Sequence, residues 1–207
     1  MRGFPPDTYQ GIAIQSLQVA GPWERLHRAE SKALASLLTA NEQAAVNRRL
    51  GLPALSDPVA WIPDKTGELG GRFTEPRGPG ALYLGNDLST CLKEIIHHHA
   101  VNCAASVGTP AGTQAVFRHL FFQVSGTLAD ADQVRGSGLH DPLNHAPSWN
   151  YGRRVRAAGL EGVHFRSVRR RGGRCLAVFN NRAARFLHVE YGAVVLEWDG
   201  TISRRIA

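Results

Sequence analysis

The chain is poor in lysine, methionine and cysteine, and it has no long apolar run. Only three of its 24 basic residues are lysine, at Lys32, Lys65 and Lys93, and there is one methionine. The three cysteines, Cys91, Cys103 and Cys175, are odd in number and lack CxxC spacing. That argues against a disulfide framework or a zinc knuckle and for reduced, partly buried thiols. No window approaches the length of a membrane-spanning helix, so no membrane association is expected. MRGFPPDTYQG has no apolar central segment of the kind a signal peptide carries, which points to the cytoplasm. GxSxG, Walker and GxGxxG patterns are missing, as is HExxH. A nucleotide, if bound, is then not held in a P-loop or Rossmann manner.

What remains is enough for a substantial core. At 207 residues and 43% apolar content the chain reads as one domain, 1–207, that needs no metal or disulfide support. Residues 1–22 look like an irregular lead-in, with the core from about 23 onward. Ser31–Leu50 has a helical pattern stopped by Gly51-Leu52-Pro53. Asn86-Asp87-Leu88-Ser89 offers caps for a helix to about Cys103, with Leu88, Cys91, Leu92, Ile95, Ile96 and His99 as its buried stripe. Ser148–Ala158 reads as another helix, ended by Gly159. Strand-like runs occur at 81–84, 115–124, 163–165, 175–179, 186–191 and 194–198. After these, Trp198-Asp199-Gly200-Thr201 turns into a last strand. Strands and helices in no regular alternation indicate an α+β fold around a mixed or antiparallel sheet.

The net charge of +7 raises nucleic acid as a partner. The densest basic run, Arg166–Arg174, holds five arginines without interleaved aromatics. It suits phosphate of any kind better than a stacked single strand, and direct nucleic-acid binding is not expected. His97-His98-His99 cannot converge on one ion, because successive helical positions point about 100° apart. No metal site is expected.

One constellation stands out. Gly70-Gly71-Arg72-Phe73 lies in a Gly/Pro-rich loop, Tyr83 follows by eleven residues inside an apolar strand, and Glu94 by eleven more inside a helix. Cation, flat ring and carboxylate are the groups that hold a dinucleotide's phosphates, a heteroaromatic ring and a developing sugar cation. Each also has a plainer reading: a loop cation, a core tyrosine, a solvated helix residue. Glu94 falls off the apolar stripe, so it faces solvent or a cleft. Ser167, after the strand at 163–165, reads by itself as a turn serine.

The order Arg–Glu–Ser in these settings resembles the bacterial RES domain family, named for those residues. GGRFTEPRGPGALYLGNDLSTCLKEIIHH is similar to the family core, and GVHFRSVRRRGGRCLAVFN to the segment around its serine, here Ser167. EWDGTISRRI is similar to the closing hairpin. Arg25-Leu26-His27-Arg28 resembles the opening strand, with Arg25 favoured over Arg28 as the matching arginine because Leu26 follows it. The Ser31–Leu50 helix makes the segment before Arg72 longer than in compact members. The resemblance implies a fold like that of ADP-ribosyltransferases and a toxin that consumes NAD+ by phosphorolysis or hydrolysis, or transfers ADP-ribose to a protein. It implies a helix-turn-helix (Xre-type) antitoxin as partner and leaves a homodimer open. NAD+ would be substrate rather than resident cofactor, with inorganic phosphate as a candidate co-substrate. Glu94, Arg72 and Ser167 would be catalytic, and Arg25, Arg72, Tyr83 and Ser167 would bind NAD+.

Overall fold

A computed structural model describes residues 6–19, 70–134 and 138–207. Arg25, Arg28 and the helix expected over Ser31–Leu50 lie outside the described residues. Besides two single-turn 3-10 helices, seven strands and two α-helices are found among those described. In chain order they are β1 (Pro6–Val19), β2 (Leu82–Gly85), α1 (Leu88–Ala105), β3 (Thr113–Asp130), α2 (Ala146–Ala157), β4 (Gly162–Arg166), β5 (Arg174–Val178), β6 (Ala184–Trp198) and β7 (Ser203–Arg205).

All seven strands join one sheet in the order β1-β2-β5-β4-β3-β6-β7, and β1 also pairs with β3. The pairings β1–β2, β2–β5, β5–β4, β4–β3 and β3–β1 therefore close a ring, from which β6 and β7 extend. Among the described strands only β3–β4 is a parallel pair. The fold is α+β with a mixed sheet.

Side-chain alternation splits β2 and β5 between two cores. Leu82 and Leu84 of β2 join Leu120, Phe122, Leu176 and Val178 in one cluster. Tyr83, between them, packs with Cys175, Ala177, Phe165 and Phe73 in the other, which α2 covers with Tyr151 and Val155. α1 lays Ile95, Leu92 and Ile96 over Phe117, Val194 and Leu196. The three cysteines are buried free thiols.

Three expectations need correction. Residues 6–19 are not an irregular lead-in but a strand paired with β3 along its whole length, from Pro6↔Ala129 to Val19↔Val116. The runs at 186–191 and 194–198 are one strand, β6, whose register against β3 shifts between Leu120↔Val189 and Arg118↔Ala193. A bulge around Gly192 lets the strand continue where the apolar pattern breaks. On α1, Leu88 is 40% exposed, whereas Thr90 is fully buried. Leu88 opens the first turn, and the Thr90 side chain is drawn in by the helix cap: Asp87 Oδ1 accepts the Thr90 N–H and Oδ2 its hydroxyl, both at 2.9 Å. No helix among the described residues is long and apolar enough to cross a membrane.

Candidate active site

The cation of the site sits on a tight turn. Gly70 has φ of 65°, open to glycine, and Gly71 N–H donates to Thr74 O at 2.7 Å. A Cβ on Gly71 would lie 2.5 Å from Tyr83 Oη and 2.6 Å from Thr74 Oγ1, so a side chain there would displace the turn. Tyr83 Oη accepts the Phe73 N–H at 2.9 Å and hydrogen-bonds Thr74 Oγ1 at 3.1 Å. Trp149 of α2 donates its indole N–H to Gly71 O at 2.8 Å, and Gly152 lets α2 approach the Phe73 carbonyl more closely than any side chain permits. Thus Tyr83 does more than present a ring: its hydroxyl fastens the turn that carries Arg72.

Arg72 points Nη1 at the carbonyls of Leu139 and Asp141, at 3.2 and 2.9 Å. Leu139 is in turn buried and held by Ser148 Oγ–H at 3.0 Å. The Arg72 guanidinium is partly buried. Burial lowers its pKa, the Glu94 carboxylate opposes that, and Arg169 adds to it. It stays charged throughout the working range.

Glu94 projects from α1, which leaves β2 directly: Gly85 packs so close to the Cys91 amide that a Cβ would sit 3.0 Å from its nitrogen. Across the sheet end, β5 pairs with both β2 and β4, which sets Cys175 opposite Gly85 and Phe165. Ser167 follows β4 at this same end. Its hydroxyl donates to Glu94 Oε1 at 2.6 Å, a bond between residues 73 apart in the chain. The Ser167 oxygen also accepts the backbone N–H groups of Arg169 and Arg170, both at 3.0 Å. One proton and two lone pairs are all a serine hydroxyl has, and all three are used. Cys175 Sγ donates to the same Oε1 at 3.8 Å; burial, then the Glu94 charge, pushes its pKa up, so it remains a thiol. Glu94 Oε2 has no hydrogen-bond partner among the described residues. The result is a carboxylate clamped on one oxygen and open on the other.

Of the residues singled out in the sequence, Glu94 and Ser167 are in contact, Arg72 shares their electrostatic neighbourhood, and Tyr83 holds the Arg72 turn. Arg25 lies outside the described residues. Two further groups were not picked out individually. Arg169 acts electrostatically on Arg72 and on His97, and His145, just before α2, is depressed in pKa by burial, then by Arg72 and Arg169. The basic run hinted at the first; nothing in the sequence pointed to the second. Of the three consecutive histidines, His99 turns into the core, where its Nδ1 hydrogen-bonds Ser203 Oγ at 2.8 Å. Among the described residues no group of three or more His, Cys, Asp or Glu is arranged to hold a metal ion.

A model of the RES domain matches residues 53–199, spanning Arg72, Tyr83, Glu94 and Ser167. The chain belongs to the RES domain family. Among solved structures, this RES domain protein is similar to a chain of the M. tuberculosis MbcT–MbcA toxin–antitoxin complex, with a TM-score of 0.54 and 14% identity. The likeness covers 89% of this chain and 85% of the other, and at that identity it is one of fold. No curated protein matches the chain.

Proposed function

We propose that this RES domain protein cleaves the bond between nicotinamide and ribose in NAD+ and acts as the toxin of a toxin–antitoxin pair. The observation that carries the reading is the hydrogen bond of 2.6 Å from Ser167 to Glu94, which fixes a carboxylate while leaving its other oxygen open. Breaking a glycosidic bond builds positive charge on the sugar. A carboxylate stabilises that charge strongly when it is fixed beforehand and partly shielded from water. Glu94 is partly buried and meets both requirements. The Nε and Nη2 groups of Arg72 have no hydrogen bond to a described residue, and they suit a bidentate grip on the pyrophosphate or the nicotinamide ribose. Arg25 would add a second cation, and the Tyr83 ring offers a flat face to the nicotinamide. Neither a metal nor a covalent enzyme intermediate is needed.

Inorganic phosphate or water would take the ribosyl carbon; a protein side chain as acceptor would make the protein a mono-ADP-ribosyltransferase instead. A fold of the ADP-ribosyltransferase kind would accommodate either outcome. Family membership and the likeness to a toxin–antitoxin complex support an antitoxin partner; we propose one of the helix-turn-helix Xre type. The exposed arginines would suit an acidic inhibitory segment. The test is purified protein with NAD+, with and without inorganic phosphate, followed by product identification. We expect nicotinamide in at least one condition, and ADP-ribose 1″-phosphate or ADP-ribose identifies the acceptor. Folded protein that releases no nicotinamide at any phosphate concentration or pH contradicts the reading. A tight, salt-sensitive nucleic-acid complex in that protein would make it a binding module.

A further inference from the structure

The five arginines of 166–174 have different fates. Arg170 Nη1 bridges Asp87 Oδ2 and Thr90 Oγ1, each at 3.1 Å. Arg174 lies between Asp130 and Asp132, at 3.4 and 3.1 Å, and donates Nε–H to His164. Arg166 and Arg171 are exposed. Arg169 is partly buried, yet its side chain has no hydrogen bond or ion pair to a described residue. Its backbone is fixed all the same: its N–H bonds the Ser167 oxygen whose proton goes to Glu94. The unpaired guanidinium thus springs from the turn that clamps the carboxylate.

A partly desolvated cation without a partner is costly, and a visiting anion removes the cost. Arg72 acts electrostatically alongside Arg169 and Glu94, and the exposed Asp141 carboxylate, which keeps its charge, is anchored through Oδ1 to the amides of Leu143 and Asn144, leaving the Arg169 guanidinium itself without an anion among the described residues. His145 adds a ring nitrogen, Nε2, that is enclosed and has no hydrogen-bond partner among the described residues. It is held neutral by burial, by Arg72 and by Arg169.

We infer that Arg169 and His145, with the free edge of Arg72, form an anion subsite beside Glu94 that takes a phosphoryl group. The inference rests on reading the same site as one that cleaves NAD+. Guanidinium forks match phosphoryl oxygens, and a neutral imidazole supplies one directional bond without adding charge. The phosphoryl group could come from the dinucleotide's pyrophosphate or from inorganic phosphate, which share this chemistry.

The experiment measures binding of ADP-ribose and of inorganic phosphate, separately, by calorimetry. It compares the wild-type chain, Arg169→Gln, Arg169→Lys and the charge-matched control Arg171→Gln, with thermal melting of each. Arg169→Gln should weaken one probe by about tenfold or more, the usual scale for losing a charge-assisted bond. Arg171→Gln should stay near wild type and Arg169→Lys should recover part of the loss. Loss confined to ADP-ribose assigns the subsite to the pyrophosphate, and loss confined to phosphate assigns it to the co-substrate. Wild-type affinity of Arg169→Gln for both probes overturns the inference, as does a wild-type chain that binds neither. Should Arg169→Gln melt early, the Arg169→Lys result decides instead. Nicotinamide release by the wild type is scored in parallel. Release without an Arg169 effect sinks the subsite alone, and an Arg169 effect without release sinks the NAD+ reading alone.

Discussion

At the scale of single residues, Ser167 acts on Glu94 and not on a free substrate atom, since its proton and both lone pairs are already committed. Removing the hydroxyl leaves Oε1 with only a distant thiol and frees two amides. Ser167→Ala should therefore lower kcat on NAD+ by about ten- to a hundredfold, the scale of a lost hydrogen bond to a charged group. KM should move little. A raised KM with unchanged kcat would mean that the serine binds substrate and does not orient the carboxylate. Much of this site was legible beforehand. The helical period put Glu94 off the apolar stripe, and residue types marked Arg72 and Tyr83. The Ser167–Glu94 bond was invisible because it joins β4 and α1 across a sheet whose strand order no local pattern encodes. Arg169 was hidden for a related reason: five similar arginines differ only in which of them find partners.

At the scale of elements, the approach of α1 to the site depends on its first turn. Asp87 caps it through Thr90 and also meets Arg170 at 3.1 Å. Both members of that ion pair are more than a third exposed, so the cap is the larger contribution. Asp87→Ala should cost about 1 kcal/mol of stability, read as a lower denaturation midpoint at unchanged slope. An unchanged midpoint would show that tertiary packing alone holds this turn. α1 itself was readable from caps and period, as were α2 and most strands. β1 was not, since Pro6, Gly11 and scattered polar residues blur its alternation, and its partner β3 lies about a hundred residues on. Long-range pairing supplied what local propensity did not.

At the scale of the whole molecule, buried histidines tie stability to pH. His99, His119 and His164 are each under 10% exposed, and burial lowers the pKa of all three, with Arg174 adding at His164. A depressed folded pKa means that the unfolded chain binds protons more readily as pH falls below the ordinary value of about 6.5. Stability should then be full above that value and decline as pH drops through the 6.5–5 interval, before most carboxylates titrate. Melting temperatures that hold or rise between pH 7.5 and 5.5 would contradict this. The chemistry at Glu94 is tested by nicotinamide release from NAD+ by wild type and Glu94→Gln, side by side with their melting curves. Glu94 lies off the buried stripe, so the amide should leave the fold intact while removing the charge that stabilises the sugar cation. Wild type should release nicotinamide, and the variant should lose about 10²–10³ in rate at an unchanged melting temperature. Near-normal turnover by folded Glu94→Gln, or no nicotinamide from folded wild type, would contradict this expectation.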